Sequence, residues 1–355
     1  MRTGVQHLNR TVLLACAPFI GMLIWLCAAG VNPDVPRIAS ADLPEPSLSG
    51  YAEPQATSLD EAAVTAKRIS ASVKKVSELY VKTNQSMNAI MTTAKSQVGR
   101  PAAIYDRRIS IKLGSPRDTV QSGNLTAQLY TIQAQHFSGY ALKVKLKSVK
   151  AMSMALAGDK PGSAETTLEA VKRTGAIAGI NAGGFADQGG KRYPLSTTVV
   201  SGQYVSGFEP SFNDLFFVGL SEELKLIGGK YSDRASLDKE KPKFGASFVP
   251  VLRKNGVNLP IPAKWRTSPL RAPRTVIANY KDDQILAMVI DGRGEDGSSG
   301  ATLEELQILL ARFGTVDGYN LDGGGSSTLV FKGRVVNSPS DGQLRRLATN
   351  FLFFK

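Results

Sequence analysis

The sequence predicts an α+β protein with a mixed central sheet and packed helices. Two observations support this prediction: a strand, helix, strand and glycine-loop unit occurs twice, and 355 residues with 42% hydrophobic content suffice for a large core. We divide the chain into a signal peptide or membrane anchor (1–31), a Pro-rich linker (32–57), an amphipathic helix (58–98) and a main domain (100–355).

The N-terminal segment has the features of an export signal. Arg2 and Arg10 precede a charge-free run over residues 11–31, which as a helix is long enough to cross the roughly 30 Å hydrocarbon core of a bilayer. Small residues near Cys27 or Ala39 suit cleavage, and without cleavage the run is an anchor whose positive flank stays cytoplasmic. We therefore expect an exported protein, periplasmic or otherwise extracytoplasmic, either free or held at the inner membrane.

Cysteine and histidine usage excludes several kinds of site. Cys16 and Cys27 both lie in the hydrophobic run, so the exported part has no thiol chemistry and no disulfide. With only His7 and His136 in the chain, a multi-histidine metal centre is excluded as well. A Ser/His/Asp triad would have to use His136, whose strand-like context favours a structural or surface role.

The net charge of +13 bears on the class of partner. Lys and Arg are dispersed and accompany no nucleic-acid-binding motif, so we expect no nucleic-acid partner. A basic surface suits an anionic polymer, a phosphorylated glycan or an anionic membrane face.

The predicted helix follows a linker rich in proline. Ser58 and Glu61 form a capping-box pattern at its start. Apolar residues then recur at three- and four-residue steps: Ala62, Ala66, Ile69, Val73, Val76 and Tyr80. We expect this helix to pack on the main domain or to self-associate, and a coiled-coil stalk is less favoured because the stripe is short and Ala-rich.

The main domain opens with predicted strands over residues 127–133, 140–146 and 150–157. A helix follows, with a capping box at Thr166 and Glu169 and a closing glycine at Gly175. The strand after it runs through Asn181 into Ala182, Gly183, Gly184 and Phe185.

The same order of elements returns later in the chain. A strand ends at Asp291 and Gly292, Thr302 and Glu305 form a second capping box, and Gly314 closes the second helix. The next strand carries Asn320 and ends at Asp322. The glycines and asparagines keep the same spacing in both copies, which predicts an internal duplication.

The two copies differ in their acidic residues. The second has Asp291, Asp317 and Asp322 where the first has Ala157, Ala178 and the Ala182/Gly183 pair. Ionised carboxylates are costly to bury unpaired, so we assign these three to function. Asn181 and Asn320, present in both copies, either hold loops through side-chain-to-backbone hydrogen bonds or bind sugar hydroxyls.

The stretch after Asp322 is the predicted floor of the site. Gly323, Gly324 and Gly325 allow positive φ and close approach of a ligand, and successive N–H groups in such a loop can bind an anion. Ser326 and Ser327 add hydroxyl donors. Arginine grips phosphate bidentately, which makes Arg274 and Arg346 candidate phosphate ligands.

From about Tyr105 onward the chain resembles the phosphodiester glycosidase family. The resemblance rests on an ordered set of motifs: residues 179–185, 273–275, Asp291 with Gly292, and residues 299–306, 320–328 and 337–350. Gly184 departs from the family's pattern, which has an aromatic residue there. The resemblance implies an α+β domain with a central sheet.

The resemblance also implies hydrolysis of a sugar 1-phosphodiester at the glycosidic carbon. We then expect Arg274, Arg346, Asn181, Asn320 and the loop from Gly323 to Ser327 to hold the substrate and its phosphate. Asp322 or Asp291 would act as nucleophile or base. The expected substrate is a phosphorylated glycan of the cell envelope or an exported polysaccharide.

Two other interpretations stay open. One is a non-catalytic module that binds phosphorylated or anionic envelope glycan. The other is a Ca²⁺ or Mg²⁺ site formed by Asp291, Asp322 and Glu295, although no EF-hand spacing supports it and we expect no cofactor.

Overall fold

The computed structural model describes residues 55–292 and 298–355. The predicted signal or anchor segment and almost all of the predicted linker lie outside the described residues. The chain divides into two compact units, Met1–Gln85 and Ser86–Lys355. In the described ranges no helix combines the length and the apolar character that a membrane span requires.

The first helix, α1, is longer than the sequence predicts. It runs over Gln55–Leu113 and contains Pro101. The predicted N-cap, Ser58, therefore lies inside the helix. Residues 60–104 are exposed, whereas Ile109 and Leu113 are buried in the second unit.

The remaining helices are short, and the strands fall into four sheets. The helices are α2 (Thr167–Thr174), α3 (Arg234–Asp238), α4 (Ala263–Thr267) and α5 (Leu303–Phe313). The strands up to the middle of the chain are β1 (Asp118–Gln121), β2 (Leu125–Gln133), β3 (Ser138–Leu146), β4 (Met152–Leu156), β5 (Ala178–Asn181), β6 (Phe185–Gln188), β7 (Lys191–Pro194), β8 (Val199–Val200), β9 (Gln203–Tyr204) and β10 (Phe216–Ser221). The others are β11 (Leu226–Gly229), β12 (Pro242–Phe248), β13 (Val251–Lys254), β14 (Val257–Asn258), β15 (Arg274–Asn279), β16 (Ile285–Ile290), β17 (Asp317–Leu321), β18 (Leu329–Phe331), β19 (Arg334–Val335) and β20 (Thr349–Phe353).

The central sheet has the order β1-β2-β3-β16-β15-β17-β13-β14. Two five-stranded sheets have the orders β11-β10-β12-β8-β9 and β19-β18-β5-β20-β4, and β6 pairs with β7 in a separate hairpin. This arrangement confirms the predicted α+β class. The named strand pairs within the described residues are antiparallel rather than mixed.

The main core lies between the central sheet and the two five-stranded sheets. Ile277 and Tyr319 enter it from the central sheet, and Phe216, Ile180 and Phe351 enter it from the other two. The opposite face of the central sheet is covered by α5 and the end of α1, and α2 covers the sheet that contains β5. Burial of this apolar surface makes the largest favourable contribution to the stability of the compact unit Ser86–Lys355.

Both predicted strand–helix–strand units are present. In each, the two strands are separated by one antiparallel strand: β20 lies between β4 and β5, and β15 lies between β16 and β17. That intervening strand explains the antiparallel pairing, because it comes from elsewhere in the chain and runs the opposite way. Duplication remains our interpretation of this shared order.

The predicted caps of both units are confirmed. Thr166 and Thr302 each accept a hydrogen bond from the N–H three residues on, and the glutamate at that position bonds back to the cap N–H. Gly175 and Gly314 follow the helices in the left-handed conformation, with φ of 71° and 81°.

Candidate active site

The candidate site lies where the two strand–helix–strand units, β4–α2–β5 and β16–α5–β17, meet at one edge of the central sheet. Asp291 follows β16 and Asp322 follows β17, and β15 lies between those strands. Two strand spacings put the backbones of β16 and β17 about 10 Å apart. The chain leaving β5 reaches the same place, since the Asp322 N–H donates to the Ala182 carbonyl at 3.3 Å.

Asn181 links the two strand–helix–strand units through its side-chain amide, and the residue is fully buried. Its Nδ2 donates to the carbonyl of Asp322 at 2.6 Å. Its Oδ1 accepts from the hydroxyl of Thr275 at 2.8 Å and from the N–H of Thr328 at 3.1 Å. Of the two roles that the sequence left open, these bonds show the loop-holding one, through which Asn181 positions Asp322. Contact of Asn181 with a sugar stays a prediction.

The Asp322 carboxylate is in an unusual environment. Its Oδ2 is buried and has no hydrogen-bond partner in the described part of the chain. Burial raises the pKa of Asp322 to about 6, against the opposing effects of the Ser326 hydroxyl, the Arg345 charge, the Gly323 N–H and the Arg192 charge. The Ser326 hydroxyl acts on the carboxylate without meeting the geometry of a full hydrogen bond.

A buried carboxylate oxygen that lacks a partner is costly unless a ligand completes its bonding. The hydroxyls of Ser326 and Ser327 are likewise buried and without a partner among the described residues. With Asn320 Oδ1, four buried polar atoms at or after the end of β17 have no hydrogen-bond partner among the described residues. The predicted site floor therefore has the polar character of a binding site.

The glycine loop is built differently from the predicted anion nest. Residues Gly324–Ser326 form a 3-10 turn. The N–H of Gly324 donates to Pro273, and those of Ser326 and Ser327 donate back into the loop. The loop therefore offers a ligand its serine hydroxyls rather than a continuous row of N–H groups.

Gly325 has a steric role in the loop. A Cβ there would stand 1.9 Å from Asp341 Oδ2 and 2.3 Å from Arg345 Nη2. The Asp341–Arg345 ion pair, at 2.6 Å, thus packs directly on the loop. A side chain at this position would displace the ends of Asp341 and Arg345, so glycine lets the ion pair lie against the loop, where the Arg345 charge acts on Asp322.

Arg345 and Arg192 are the site arginines that sequence reasoning missed. Arg192 lies on β7, stacks on Phe185 at 3.9 Å from the ring centroid, and pairs with Asp187 at 2.7 Å. The hydrogen bond to Asp187 is the main cause of the raised pKa of Arg192, and the Asp322 charge adds to it. Arg192 in turn opposes the rise in the pKa of Asp322. Arg345 lies in the matched motif over residues 337–350, where Arg346 was chosen as the phosphate ligand instead, whereas nothing local to Arg192 indicates its role.

The two predicted phosphate arginines, Arg274 and Arg346, both have partners within the protein. Arg274 is buried, and its Nε and Nη2 donate to the carbonyls of Ala301 and Pro269 at 3.2 and 3.0 Å. Burial lowers its pKa. The guanidinium of Arg346 pairs with Glu169 at 3.0 Å and donates to Ala164, at the start of α2.

Two cavities flank the arginines. One of about 490 Å³ is lined by Arg345, Arg192 and Arg346, together with Thr166, Asp341, Gln343 and Leu344. Another of about 400 Å³ shares Arg192 and Arg346 and adds Lys191 and Asp187 to its lining. Both have room for a charged group of substrate size.

Asp291 is buried and tied to the C-terminal segment. Its Oδ1 accepts from the Ser338 N–H at 2.8 Å, and its carbonyl accepts from the Ser298 hydroxyl. Asn337, next to Ser338, bonds the Ser327 carbonyl at 3.0 Å. The Oδ1 of Asp291 therefore helps to hold the segment that borders the serine loop.

One expectation about the β16–α5–β17 unit needs correction, and another stays open. Asp317 forms an ion pair with Lys254 at 2.9 Å and accepts from the Asn255 N–H, at the opposite end of β17 from Asp322. Its role is structural because its charge is already matched. Asn320 is buried and donates to the Val249 carbonyl at 2.6 Å, which holds that loop, whereas its Oδ1 has no hydrogen-bond partner among the described residues. Binding of a sugar hydroxyl by Asn320 therefore stays a prediction.

His136 and the possible Ca²⁺ or Mg²⁺ site are the other features that the sequence singled out. His136 is exposed, and its carbonyl accepts from Ser299 in the turn between β2 and β3. In the described residues no group of three His, Cys, Asp or Glu side chains could hold a metal ion. Glu295, named for the possible Ca²⁺ or Mg²⁺ site, lies outside them.

Gly184, where the family pattern has an aromatic residue, lies against another aromatic ring. A Cβ at this glycine would be 3.0 Å from the Phe248 ring. The side chain of Phe248 therefore occupies the space beside the β5 loop.

Known proteins are similar to this chain over the same region. N-acetylglucosamine-1-phosphodiester alpha-N-acetylglucosaminidase of Bos taurus is 28% identical over 190 residues, 50% of this chain and 35% of that protein. An uncharacterised SPbeta prophage-derived protein of Bacillus subtilis (strain 168) is 25% identical over 181 residues, 50% of this chain and 28% of that protein. The chain thus spans about a third of the length of these curated relatives.

A solved structure shows the same fold. It is the catalytic domain of zebrafish N-acetylglucosamine-1-phosphodiester alpha-N-acetylglucosaminidase, auto-inhibited by its pro-peptide. The TM-score is 0.56 at 18% identity, with 68% of this chain and 89% of that chain covered.

The family model of phosphodiester glycosidases matches residues 174–354, about half of the chain. That match includes Asn181, Arg192, Asp322, the glycine loop and Arg345. The resemblance expected from the sequence is therefore confirmed, and the chain belongs to the phosphodiester glycosidase family.

Proposed function

We propose that the protein hydrolyses a sugar 1-phosphodiester at the glycosidic bond and releases the free sugar and a phosphomonoester. The buried Asp322 carboxylate, with an oxygen that has no partner among the described residues and two arginine charges acting on it, is the observation that carries the proposal. A carboxylate beside a cationic pocket suits a substrate in which a sugar carbon adjoins a phosphate.

The proposed chemistry needs little general acid catalysis. Phosphate is already a good leaving group, so the site must neutralise its charge and present a carboxylate to the oxocarbenium-like carbon. Asp322 supplies that carboxylate as nucleophile or base. Asp291 is the second candidate for this role, and its bond to Ser338 also holds the border of the site.

Phosphate recognition in this proposal centres on Arg345 and Arg192. Arg346 lines the same cavity of about 490 Å³ and adds positive charge at its rim. Ser326 and Ser327 donate hydrogen bonds from their hydroxyls to the substrate. The buried Arg274 contributes its positive charge from behind Gly323, where an added Cβ would lie 3.9 Å from Arg274 Cδ.

The proposed substrate class is a phosphorylated glycan of the cell envelope or an exported polysaccharide. The net charge of +13 favours association with such an anionic polymer. The N-terminal segment would export the protein and, if retained, hold it at the membrane. We propose that hydrolysis requires no cofactor.

The direct test is turnover of a synthetic sugar 1-phosphodiester, with both products identified. We expect Asp322→Asn to lower kcat/KM by about 10³-fold and Arg345→Gln to lower it by about 10²-fold. Arg312→Gln, which removes an exposed arginine of α5, is the matched control and should leave kcat/KM unchanged.

Two outcomes would contradict the proposal. Release of a sugar phosphate and an alcohol would mean that the phosphate ester bond, and not the glycosidic bond, is cleaved. Binding of phosphorylated glycan without turnover, equally tight in wild type and Asp322→Asn, would instead support the non-catalytic module.

A further inference from the structure

The first compact unit contains a helix face that is apolar and exposed. Every residue of α1 from 60 to 85 is exposed. Among them Ile69, Val73, Val76 and Tyr80 are 59%, 62%, 64% and 68% exposed. Helices in proteins gain most of their stability from packing an apolar face, so this face indicates a partner.

The apolar residues of this face follow a heptad pattern. They alternate in steps of four and three, as the a and d positions of a coiled coil do. We define the α1 seam as Ala62, Ala66, Ile69, Val73, Val76 and Tyr80. In the same register Thr83 occupies the next core position, and the apolar residues Met87 and Ile90 occupy the two after it.

The charged residues avoid the borders of the α1 seam. The positions that flank it, e and g in heptad notation, are uncharged: Ala63, Thr65, Ser70, Ser72, Ser77 and Leu79. The charges occupy the outer positions b, c and f: Lys67, Arg68, Lys74, Lys75, Glu78 and Lys82. Two copies of this basic helix can therefore approach without like charges meeting at the interface.

We propose that the α1 seam pairs with the α1 seam of a second copy of this chain in a two-stranded coiled coil. A second copy fits because a symmetric dimer buries the same patch on both partners. The uncharged flanks also fit it, because they call for no partner of opposite charge. This modifies the expectation from sequence, which placed a coiled coil behind other roles of the helix.

The helix supplies its own matched control. Val73 and Val76 lie in the seam, whereas Val64 and Val81 lie at outer positions of the same helix and are 51% and 52% exposed. Val73→Glu with Val76→Glu and Val64→Glu with Val81→Glu make the same chemical change and alter net charge equally. Only the first pair puts charge into the proposed interface.

The test uses two full-length copies with different affinity tags, expressed together, and measures how much of the second copurifies with the first. Wild type and the outer double variant should copurify equally. For the seam double variant, the amount of the second copy that copurifies should fall at least about tenfold, which corresponds to a loss of about 1.4 kcal/mol in the free energy of association. Val73→Leu with Val76→Leu, which keeps the seam apolar, should retain association.

Any of three results would overturn the proposal. Two of them are a failure of the wild-type copies to copurify and copurification of the seam variant as efficient as that of wild type. Equal loss in the seam and outer variants would assign the effect to added charge and not to the interface.

Discussion

The unit β4–α2–β5 and the unit β16–α5–β17 have the same frame but different chemistry. Each has a capping box, a left-handed glycine after its helix and a buried asparagine at or near the end of its second strand. Only the second carries Asp322, and the first supplies Asn181 to hold it. The comparison teaches that one copy of the frame provides the reactive group and the other provides its support.

The three carboxylates of the second unit also differ from one another. Asp317 has its charge matched by Lys254, Asp291 binds a backbone N–H, and Asp322 keeps an oxygen without a partner among the described residues. An acidic residue absent from the first unit is therefore not by itself a sign of function. What marks a candidate for catalysis is a carboxylate whose bonding is left incomplete.

The largest expected effect separates Asp322 from Asp317. Asp322→Asn should lower kcat/KM by about 10³-fold without lowering the free energy of unfolding. Asp317→Asn should remove the opposite charge from Lys254, which keeps only its bonds to Gly228 and Tyr319, and cost about 2 kcal/mol of stability, with kcat/KM nearly unchanged. Paired denaturation and turnover measurements check this, and similar losses of turnover in both variants would break the distinction.

The second prediction separates the two asparagines. Asn181→Ala should cost about 4 kcal/mol in the free energy of unfolding, because it leaves three buried groups without their partner. Asn320→Ala removes one bond, to Val249, and should cost about 1–2 kcal/mol. Urea denaturation of both variants gives the comparison, and equal costs would contradict the bridging role of Asn181.

The third prediction concerns pH. The pKa of Asp322 is raised from 3.8 to about 6 in the folded protein, so ionisation destabilises the fold. The native state keeps its proton between those values while the unfolded chain releases it. Stability of wild type relative to Asp322→Asn should therefore fall as pH rises from about 4 to about 6, by about 3 kcal/mol, and stay level above.

Denaturation of the two proteins at several pH values between 4 and 8 measures this difference. A difference that is constant across the range would show that Asp322 titrates normally. If the ionised form is the reactive one, kcat/KM should also fall about tenfold per pH unit below about 6.

The smallest expected effect is a loss of stability that should be equal in the two strand–helix–strand units. Thr166→Ala and Thr302→Ala each remove a cap with the same geometry, and each should cost about 1 kcal/mol. Thermal unfolding checks both. Costs that differ by more than about 1 kcal/mol would weaken the view that the two frames are equivalent.

Local features of the fold were predictable from the sequence. The capping boxes at Thr166 and Thr302 and the closing glycines depend on residues three to twelve positions apart, and all appear as expected. The intervening strands β15 and β20 were not assigned to their places between the strands of each unit. Pairing between distant strands depends on tertiary packing, which a single sequence does not display.

The candidate site was predictable only where the chain is continuous. Asp322 and its serine loop follow directly from one stretch of sequence. Arg192 reaches Asp322 from a hairpin far away in the chain, so no local spacing indicates it. Arg274 was expected at the substrate, yet its guanidinium bonds backbone carbonyls, because strand β15 turns it inward.

The unpartnered oxygen of Asp322 has a consequence for inhibition. A sugar mimic with an ammonium group at the position of the anomeric carbon would give that oxygen both a hydrogen bond and an opposite charge. Such a compound should bind more tightly above pH 6 than below it, since only the ionised carboxylate offers the ion pair. A neutral sugar of the same shape should show no such dependence on pH, which would make inhibitor charge a direct probe of the Asp322 protonation state.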